Sequence, residues 1–255
     1  MDTINLGRPC RITIDPGHGG DDSGAEANGL VEKELNLPIG LRLAALLRAQ
    51  GHTVFLTRQG DESVSLGERA HMSVANRSEL FVSIHHDDQG SSGNGGCHGF
   101  AHRVTYRNGM DLATKMAEQV EAVTGVGFSY GEPASDWFGN NLGVFANWNN
   151  ADEVTCGLVE CLTLSRAADA AKTHMDGYTE KTAQAFLRGI HQHLGLPAPD
   201  AEPQFRLVGI DGKARTGAWL GDDGHGYCAL AVTAEAAGCD IAWDGKGTWT
   251  LKKKA

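Results

Sequence analysis

Arg11-Ile12-Thr13-Ile14-Asp15-Pro16-Gly17-His18-Gly19-Gly20 reads as a β-branched strand that empties into a glycine-rich loop carrying a histidine. Beyond it, Leu35, Ile39, Leu43, Leu46 and Leu47 recur at helical spacing and Gly51 stops the pattern, so residues 34–50 are expected to form an amphipathic helix. Pro38 fits such a helix only near its first turn. Thr53-Val54-Phe55-Leu56-Thr57 is a second strand, and Ser65-Leu66-Gly67-Glu68 has capping-box spacing that opens a helix through residue 76. Leu80-Phe81-Val82-Ser83-Ile84-His85 is almost wholly apolar, the pattern of a strand buried on both faces of a parallel sheet. A helix over 110–123, a strand over 154–162 and a long helix over 167–194 follow, the last with Met175, Tyr178, Ala185, Phe186 and Ile190 on its apolar side.

Strands alternating with helices over residues 1–194 predict an α/β domain with a mostly parallel twisted sheet and helices on both faces. Residues 195–204, with Pro197, Pro199 and Pro203, form a linker that cannot extend the preceding helix. Residues 205–255 then suggest a small α+β module. It has a strand at 205–209, a turn at Asp211-Gly212-Lys213, an alanine-rich helix at 229–237, and strands at Ile241-Ala242-Trp243 and Trp249-Thr250-Leu251.

The chain has 255 residues, 41% hydrophobic and 21% charged, the balance of a soluble globular protein rather than a disordered or membrane-inserted one. A net charge of -10 excludes nucleic acid as a partner, since phosphate backbones need clustered Lys and Arg. It also argues against capture by any anionic polymer through bulk charge. The six cysteines are scattered, with no CxxC pair, and read as reduced thiols. The N-terminus lacks an apolar core of signal-peptide length, so the expected place of synthesis is the cytoplasm. Lys252-Lys253-Lys254 reads as a solvated tail.

Ligands in open α/β sheets gather at the carboxyl ends of strands, which places His18 beside His85 and lets Glu160, late in a further strand, join them. Catalytic zinc takes imidazole and carboxylate ligands and keeps one position open, and His18, Glu32 and His85 can supply that set. Each has a blander reading. The Asp15–Gly20 segment is also a tight turn or a phosphate loop, although the Lys-Ser/Thr of a phosphate loop is missing. Glu32 is also a carboxylate meeting a helix dipole.

Ile14-Asp15-Pro16-Gly17-His18-Gly19-Gly20, then Gly29-Leu30-Val31-Glu32-Lys33 and Leu35-Asn36-Leu37, resemble the amidase type 3 family of N-acetylmuramoyl-L-alanine amidases. Further matching marks are Leu56-Thr57-Arg58, Asp61, Val64-Ser65-Leu66-Gly67-Glu68-Arg69, Ala75-Asn76, Leu80-Phe81-Val82-Ser83-Ile84-His85, Asn141-Leu142-Gly143-Val144 and Leu158-Val159-Glu160. The resemblance covers residues 10–194. It implies one Zn2+ held by His18, Glu32 and His85, with Glu160 as the catalytic carboxylate, cutting peptidoglycan between N-acetylmuramic acid and L-alanine. The role it suggests is a phage or prophage endolysin, with a host autolysin or spore hydrolase as other settings. A zinc peptidase on stem peptides and a non-catalytic wall-binding protein are the competing functions.

The chain departs from the family pattern in two places. His86-Asp87-Asp88 stands where a small residue and asparagine usually follow the second histidine, and Cys161-Leu162-Thr163-Leu164-Ser165 follows Glu160. Adjacent histidines on a strand point to opposite faces, so only one can meet a metal; motif register selects His85 and leaves His86 packed nearby. Cys156 and Cys161 flank Glu160 but read as small hydrophobes on opposite faces, not nucleophiles. Arg58 and Asn141 are candidates for substrate contact, with a structural ion pair the equal alternative for Arg58. In the last module, His225-Gly226-Tyr227-Cys228-Ala229-Leu230, Ala234-Glu235-Ala236-Ala237-Gly238 and Ile241-Ala242-Trp243-Asp244-Gly245-Lys246 resemble the copper-amine-oxidase N-terminal-like stalk domain. No copper ligand set accompanies that resemblance. Wall attachment or targeting is the expected use, with dimerisation and a simple packing cap as the alternatives, and oligomeric state is not readable.

Overall fold

The computed structural model describes residues 8–90, 95–102, 106–129, 143–146 and 154–199, with four further strands beyond them. The chain divides into two units, Met1–Ala198 and Pro199–Ala255. In the first, β1 (Arg11–Pro16) leads through a short hairpin of β2 (Glu26–Ala27) and β3 (Leu30–Val31) into α1 (Glu32–Ala49). Next come β4 (Thr53–Leu56), α2 (Leu66–Ala75), β5 (Leu80–Asp87), β6 (Cys97–Ala101), α3 (Tyr106–Thr124) and β7 (Phe128–Ser129). The unit ends with α4 (Gly143–Ala146), β8 (Thr155–Thr163), α5 (Ala167–Ala170) and α6 (Tyr178–Leu194).

The central sheet runs β4-β1-β5-β8-β6-β7, with the first four strands parallel, β6 antiparallel to β8 and β7 parallel to β6. This is the mostly parallel α/β sheet with helices on both faces that the sequence predicts. Alternation along the strands assigns the faces. Ile12, Ile14, Leu80, Val82, Ile84, Val159 and Cys161 point into the larger apolar cluster, with Leu43 and Leu47 of α1, Leu112 and Met116 of α3, and Phe186 and Ile190 of α6. Phe81, Cys156 and Leu158 point the other way, into a smaller cluster with Ala70 of α2 and Val144 and Phe145 of α4. The larger face is sealed by three long helices; among the described residues α2 and α4 cover the smaller one, and His85 and Glu160 point to that side. Where α6 crosses α3, Gly189 lies against the backbone of Met116 and leaves no room for a Cβ.

Several elements differ from expectation. Helix α1 starts at Glu32 because the hairpin supplies acceptors for its first orphan donors: Glu32 N donates to Ala25 O at 2.9 Å and Lys33 N to Ser23 O at 3.1 Å. Pro38 therefore lies in the helix interior rather than its first turn. The long helix expected over 167–194 is broken into α5, a 3-10 turn at Ala171–His174 and α6, because Met175 is extended and Gly177 adopts φ 71°. Strand β6 was not anticipated, since Cys97-His98-Gly99-Phe100-Ala101 has no β-branched residue. The capping box at Ser65 is present, with Glu68 N donating to Ser65 Oγ at 3.3 Å and Ser65 N to Glu68 Oε2 at 2.8 Å.

The second unit contains β9 (Arg206–Val208), β10 (Ala214–Arg215), β11 (Cys239–Trp243) and β12 (Thr248–Lys253) in the order β10-β9-β12-β11. Strand β9 is antiparallel to β10 and parallel to β12, which is antiparallel to β11. The alanine-rich helix and most of the stalk-like motif lie outside the described residues. Among the described residues no helix is long and apolar enough to cross a membrane.

Candidate active site

The chain leaves β1 through α1 on one face to reach β4, then returns through α2 on the other face to β5, on the far side of β1. The carboxyl ends of β1 and β5 thus flank a topological switch point, the crevice where open α/β sheets bind ligands. His18 follows β1, His85 lies late in β5, and Glu32 opens α1 directly above the gap. These three are the one group of three or more potential metal-ligand side chains among the described residues, and their ligand atoms all lie within 4.8 Å of one another.

Glu32 is the hub. Its Oε2 is 2.9 Å from His18 Nε2 and its Oε1 is 2.9 Å from His85 Nδ1. Backbone donors hold it from behind: Ala25 N gives to Oε2 at 2.9 Å and His86 N to Oε1 at 2.9 Å. Burial alone would raise its pKa, but the two histidines outweigh burial and hold the carboxyl ionised, well below the usual range. Burial likewise opposes the charged form of His18, yet Glu32 and Asp22 together raise its pKa. Asp22 Oδ2 lies 2.9 Å from His18 Nδ1, a contact that fixes the ring and aims Nε2 into the gap.

The loop backbone is shaped for this convergence. His18 is a non-glycine residue at φ 62°, strain of the kind that accumulates at functional sites. A Cβ on Gly17 would overlap the His85 imidazole. Two arginines clamp the strained turn through its carbonyls. Arg58 donates to Pro16 O and Gly17 O at 2.9 Å each, and Arg69 to Pro16 O at 3.0 Å and His18 O at 2.8 Å. Arg69 also pairs with buried Asp15 at 2.7 Å, and Thr57 and Ser83 each donate a hydrogen bond to that carboxylate at 2.7 Å. Arg58 is therefore a scaffold residue bound to backbone carbonyls, rather than a partner in an ion pair. Asn141 lies outside the described residues.

Glu160 stands across the gap. It is in register with His85 on the neighbouring strand, about 4.8 Å away by strand spacing and on the same face. Burial pushes its carboxyl well above the ordinary carboxylate value, and the charges of Glu32 and Asp87 push the same way. Its Oε2 is buried without a hydrogen-bond partner among the described residues. With His18, His85, Asp22, Arg69, Val144 and Leu158, Glu160 lines a cleft of about 860 Å³. His86 points through the sheet, away from the cleft, and is buried. Cys156 and Cys161 are buried in the two different apolar clusters, and neither lines the cleft.

The donor set fits a divalent cation of the zinc type. Zn–N and Zn–O bonds of about 2.0–2.2 Å place tetrahedral ligand atoms about 3.4 Å apart, and the ligand atoms of His18, Glu32 and His85 lie within 4.8 Å of one another, within reach of a single ion after small side-chain shifts. Two imidazoles and one carboxylate also leave a coordination position open. The sequence pointed to all three residues and to Glu160. It did not single out Asp22 or Asn36 as supports; for Asn36 the helical spacing of four residues after Glu32 was the available signal, whereas Asp22 lies in a turn where spacing carries no such signal.

A cleft at the switch point, two histidines and a carboxylate converging, and a buried unpaired glutamate opposite them together have the layout of a cation-assisted hydrolase. Within that class the chain belongs to the amidase type 3 family of N-acetylmuramoyl-L-alanine amidases, whose model matches residues 12–192. It is 34% identical over 180 residues to the N-acetylmuramoyl-L-alanine amidase LytC of Bacillus subtilis, covering 70% of this chain and 34% of LytC. The chain thus spans about a third of that relative's length. It is 30% identical over 196 residues to the endolysin of Bacillus phage SPP1, covering 72% of this chain and 66% of the endolysin. Among solved structures, the catalytic domain of CwlV, an amidase from Bacillus (Paenibacillus) polymyxa, superposes with a TM-score of 0.61 at 27% identity. That match covers 74% of this chain and 99% of CwlV's domain.

Proposed function

We propose that the chain is a zinc-dependent N-acetylmuramoyl-L-alanine amidase that hydrolyses the amide between the lactyl group of N-acetylmuramic acid and the first L-alanine of the stem peptide. The observation that carries this reading is the convergence of His18, Glu32 and His85 opposite Glu160 in a chain of this family. His18, Glu32 and His85 would hold the cation, which when bound polarises a carbonyl and acidifies water. Glu160 faces the same cleft with its Oε2 unpaired among the described residues, and burial shifts its carboxyl upward, the direction that makes a carboxylate a stronger proton acceptor. It takes a proton from the water that attacks the lactyl carbonyl and delivers it to the alanine nitrogen as the C–N bond breaks. A new carboxylate and a free amino terminus are left.

The similarity to the phage SPP1 endolysin supports a lytic role in which the protein reaches the wall once the membrane has been opened. Residues 205–255 extend the reading as a wall-targeting module, tested by whether the full chain sediments with sacculi in the presence of chelator. The activity is tested on isolated sacculi with and without chelator and added zinc, scoring new amino termini and reducing ends. Zinc-dependent release of alanine amino termini without reducing ends is expected. Glu160→Gln should keep its zinc and lose about 10²–10⁴ in turnover. Other amino termini would replace this reading with a stem-peptide peptidase.

A further inference from the structure

His86 sits on the wrong face of β5 to meet a cation, yet it is among the most buried polar side chains of the protein, 1% exposed. Its two ring nitrogens are both engaged. Nδ1 lies 2.8 Å from Asn36 Oδ1 and Nε2 2.7 Å from the Tyr178 hydroxyl, at the first residue of α6. Asn36 in turn places Nδ2 3.1 Å from Glu32 Oε1 and 3.3 Å from Gly17 O. The two acceptors fix the direction of every bond. A carboxylate and a carbonyl only accept, so both must receive hydrogens from Nδ2, and Asn36 Oδ1 is left as the acceptor facing His86. The His86 ring must then carry its proton on Nδ1. In the neutral ring Nε2 is then the bare nitrogen, and the Tyr178 hydroxyl donates to it.

We infer that His86 is a positioning residue for the metal site: through Asn36 it holds the Glu32 carboxylate in the orientation that presents it to the cation. A flipped Asn36 amide would set its oxygen against Glu32 Oε1 and Gly17 O and its NH2 against the Nδ1–H of His86, three repulsions at once. The chain of bonds runs from the start of α6, along the helix-covered face of the sheet, to the N-terminus of α1. It reaches the same Oε1 that the backbone N–H of His86 also contacts.

The inference rests on His18, Glu32 and His85 being cation ligands, and the test separates the two. Apoprotein is titrated with Zn2+ against a chromogenic chelator, and the cobalt-substituted protein is examined by visible absorption. His86→Gln keeps an acceptor for Tyr178 but loses the donor to Asn36, and its zinc affinity should fall about 10–100-fold with a shifted cobalt band. His86→Asn, whose Nδ2 falls where the histidine Nδ1 was, should stay near wild type. Equal affinities and unchanged cobalt spectra for wild type and His86→Gln would overturn the inference, and so would an equal loss in both variants. If wild type binds no zinc, or His18→Ala binds it as wild type does, the ligand reading itself fails, a pattern distinct from either. Nitrogen-15 NMR of histidine-labelled wild type needs no variant. An Nδ1–H tautomer for His86 at pH 7 is expected, and an Nε2–H tautomer would refute the chain of bonds.

Discussion

Arg69→Met is the substitution that most directly probes how the loop under His18 is held. The Arg69 and Asp15 side chains are 4% and 1% exposed, and they meet at 2.7 Å beneath the turn. Burial alone would raise the Asp15 pKa; Arg69, with Thr57, reverses this and holds it below the usual aspartate value. In the wild type this carboxylate therefore contributes stability above the unfolded-state pKa, lost as pH falls through the depressed folded value. Methionine fills much of the arginine volume but leaves a charge buried with only hydroxyl partners. Removing one member of such a pair costs about 3–5 kcal/mol, which for a domain of this size lowers Tm by roughly 6–20 °C at pH 7. The sign of the pH dependence should also invert. Without Arg69, burial raises the Asp15 pKa, so the variant should regain stability on acidification from pH 7 to 5 relative to wild type. Urea unfolding at both pH values measures this, and Arg69→Met/Asp15→Asn should recover much of the loss at pH 7. A single variant within about 1 kcal/mol of wild type, or a double variant no better than the single, would refute the reasoning.

Gly17→Ala adds a Cβ where the His85 ring lies; zinc affinity measured by chelator competition should drop while the far-UV spectrum of the folded chain is retained. His52 is buried and its pKa is depressed to about 4, first by burial and then by His191, so the unfolded state binds the extra proton between about pH 6.5 and 4. Its stabilising contribution is complete above pH 6.5 and is lost as pH falls. Relative to His52→Gln, wild type should lose about 2 kcal/mol between pH 7.5 and 5, read by denaturant titration.

Legibility in the sequence followed the range of the interactions. The strands and the glycine loop were readable because β-branched runs and loop glycines are local signals, and the rule on strand ends brought His18 and His85 together; Glu32 was singled out only by the family resemblance, since its position also suits a carboxylate at a helix start. The break at Gly177 was not, since Met175, Tyr178 and Phe186 keep an apparently continuous apolar stripe across it. Strand β6 was missed because its stability comes from pairing with β8, a partner distant in sequence, and not from its own side chains. The work of Arg58 and Arg69 was hidden for a related reason: they bind backbone carbonyls, and a carbonyl leaves no mark in a sequence. The role of His86 became visible only when Asn36, one turn into α1, and Tyr178, at the far end of the domain, came together on it.

The alternation along β5 carries a lesson for how this protein can change over time. Phe81, Ser83 and His85 occupy one track of the strand and Leu80, Val82, Ile84 and His86 the other, the first facing the chemistry and the second the helices. Substitutions on the helix track can drift with the packing of α1 and α6 while the reaction is left alone, a division that uncouples the inheritance of stability from that of activity. His86 is where the two tracks are tied together. A lineage that alters the seam between α1 and α6 at that point alters the grip on Glu32 with it.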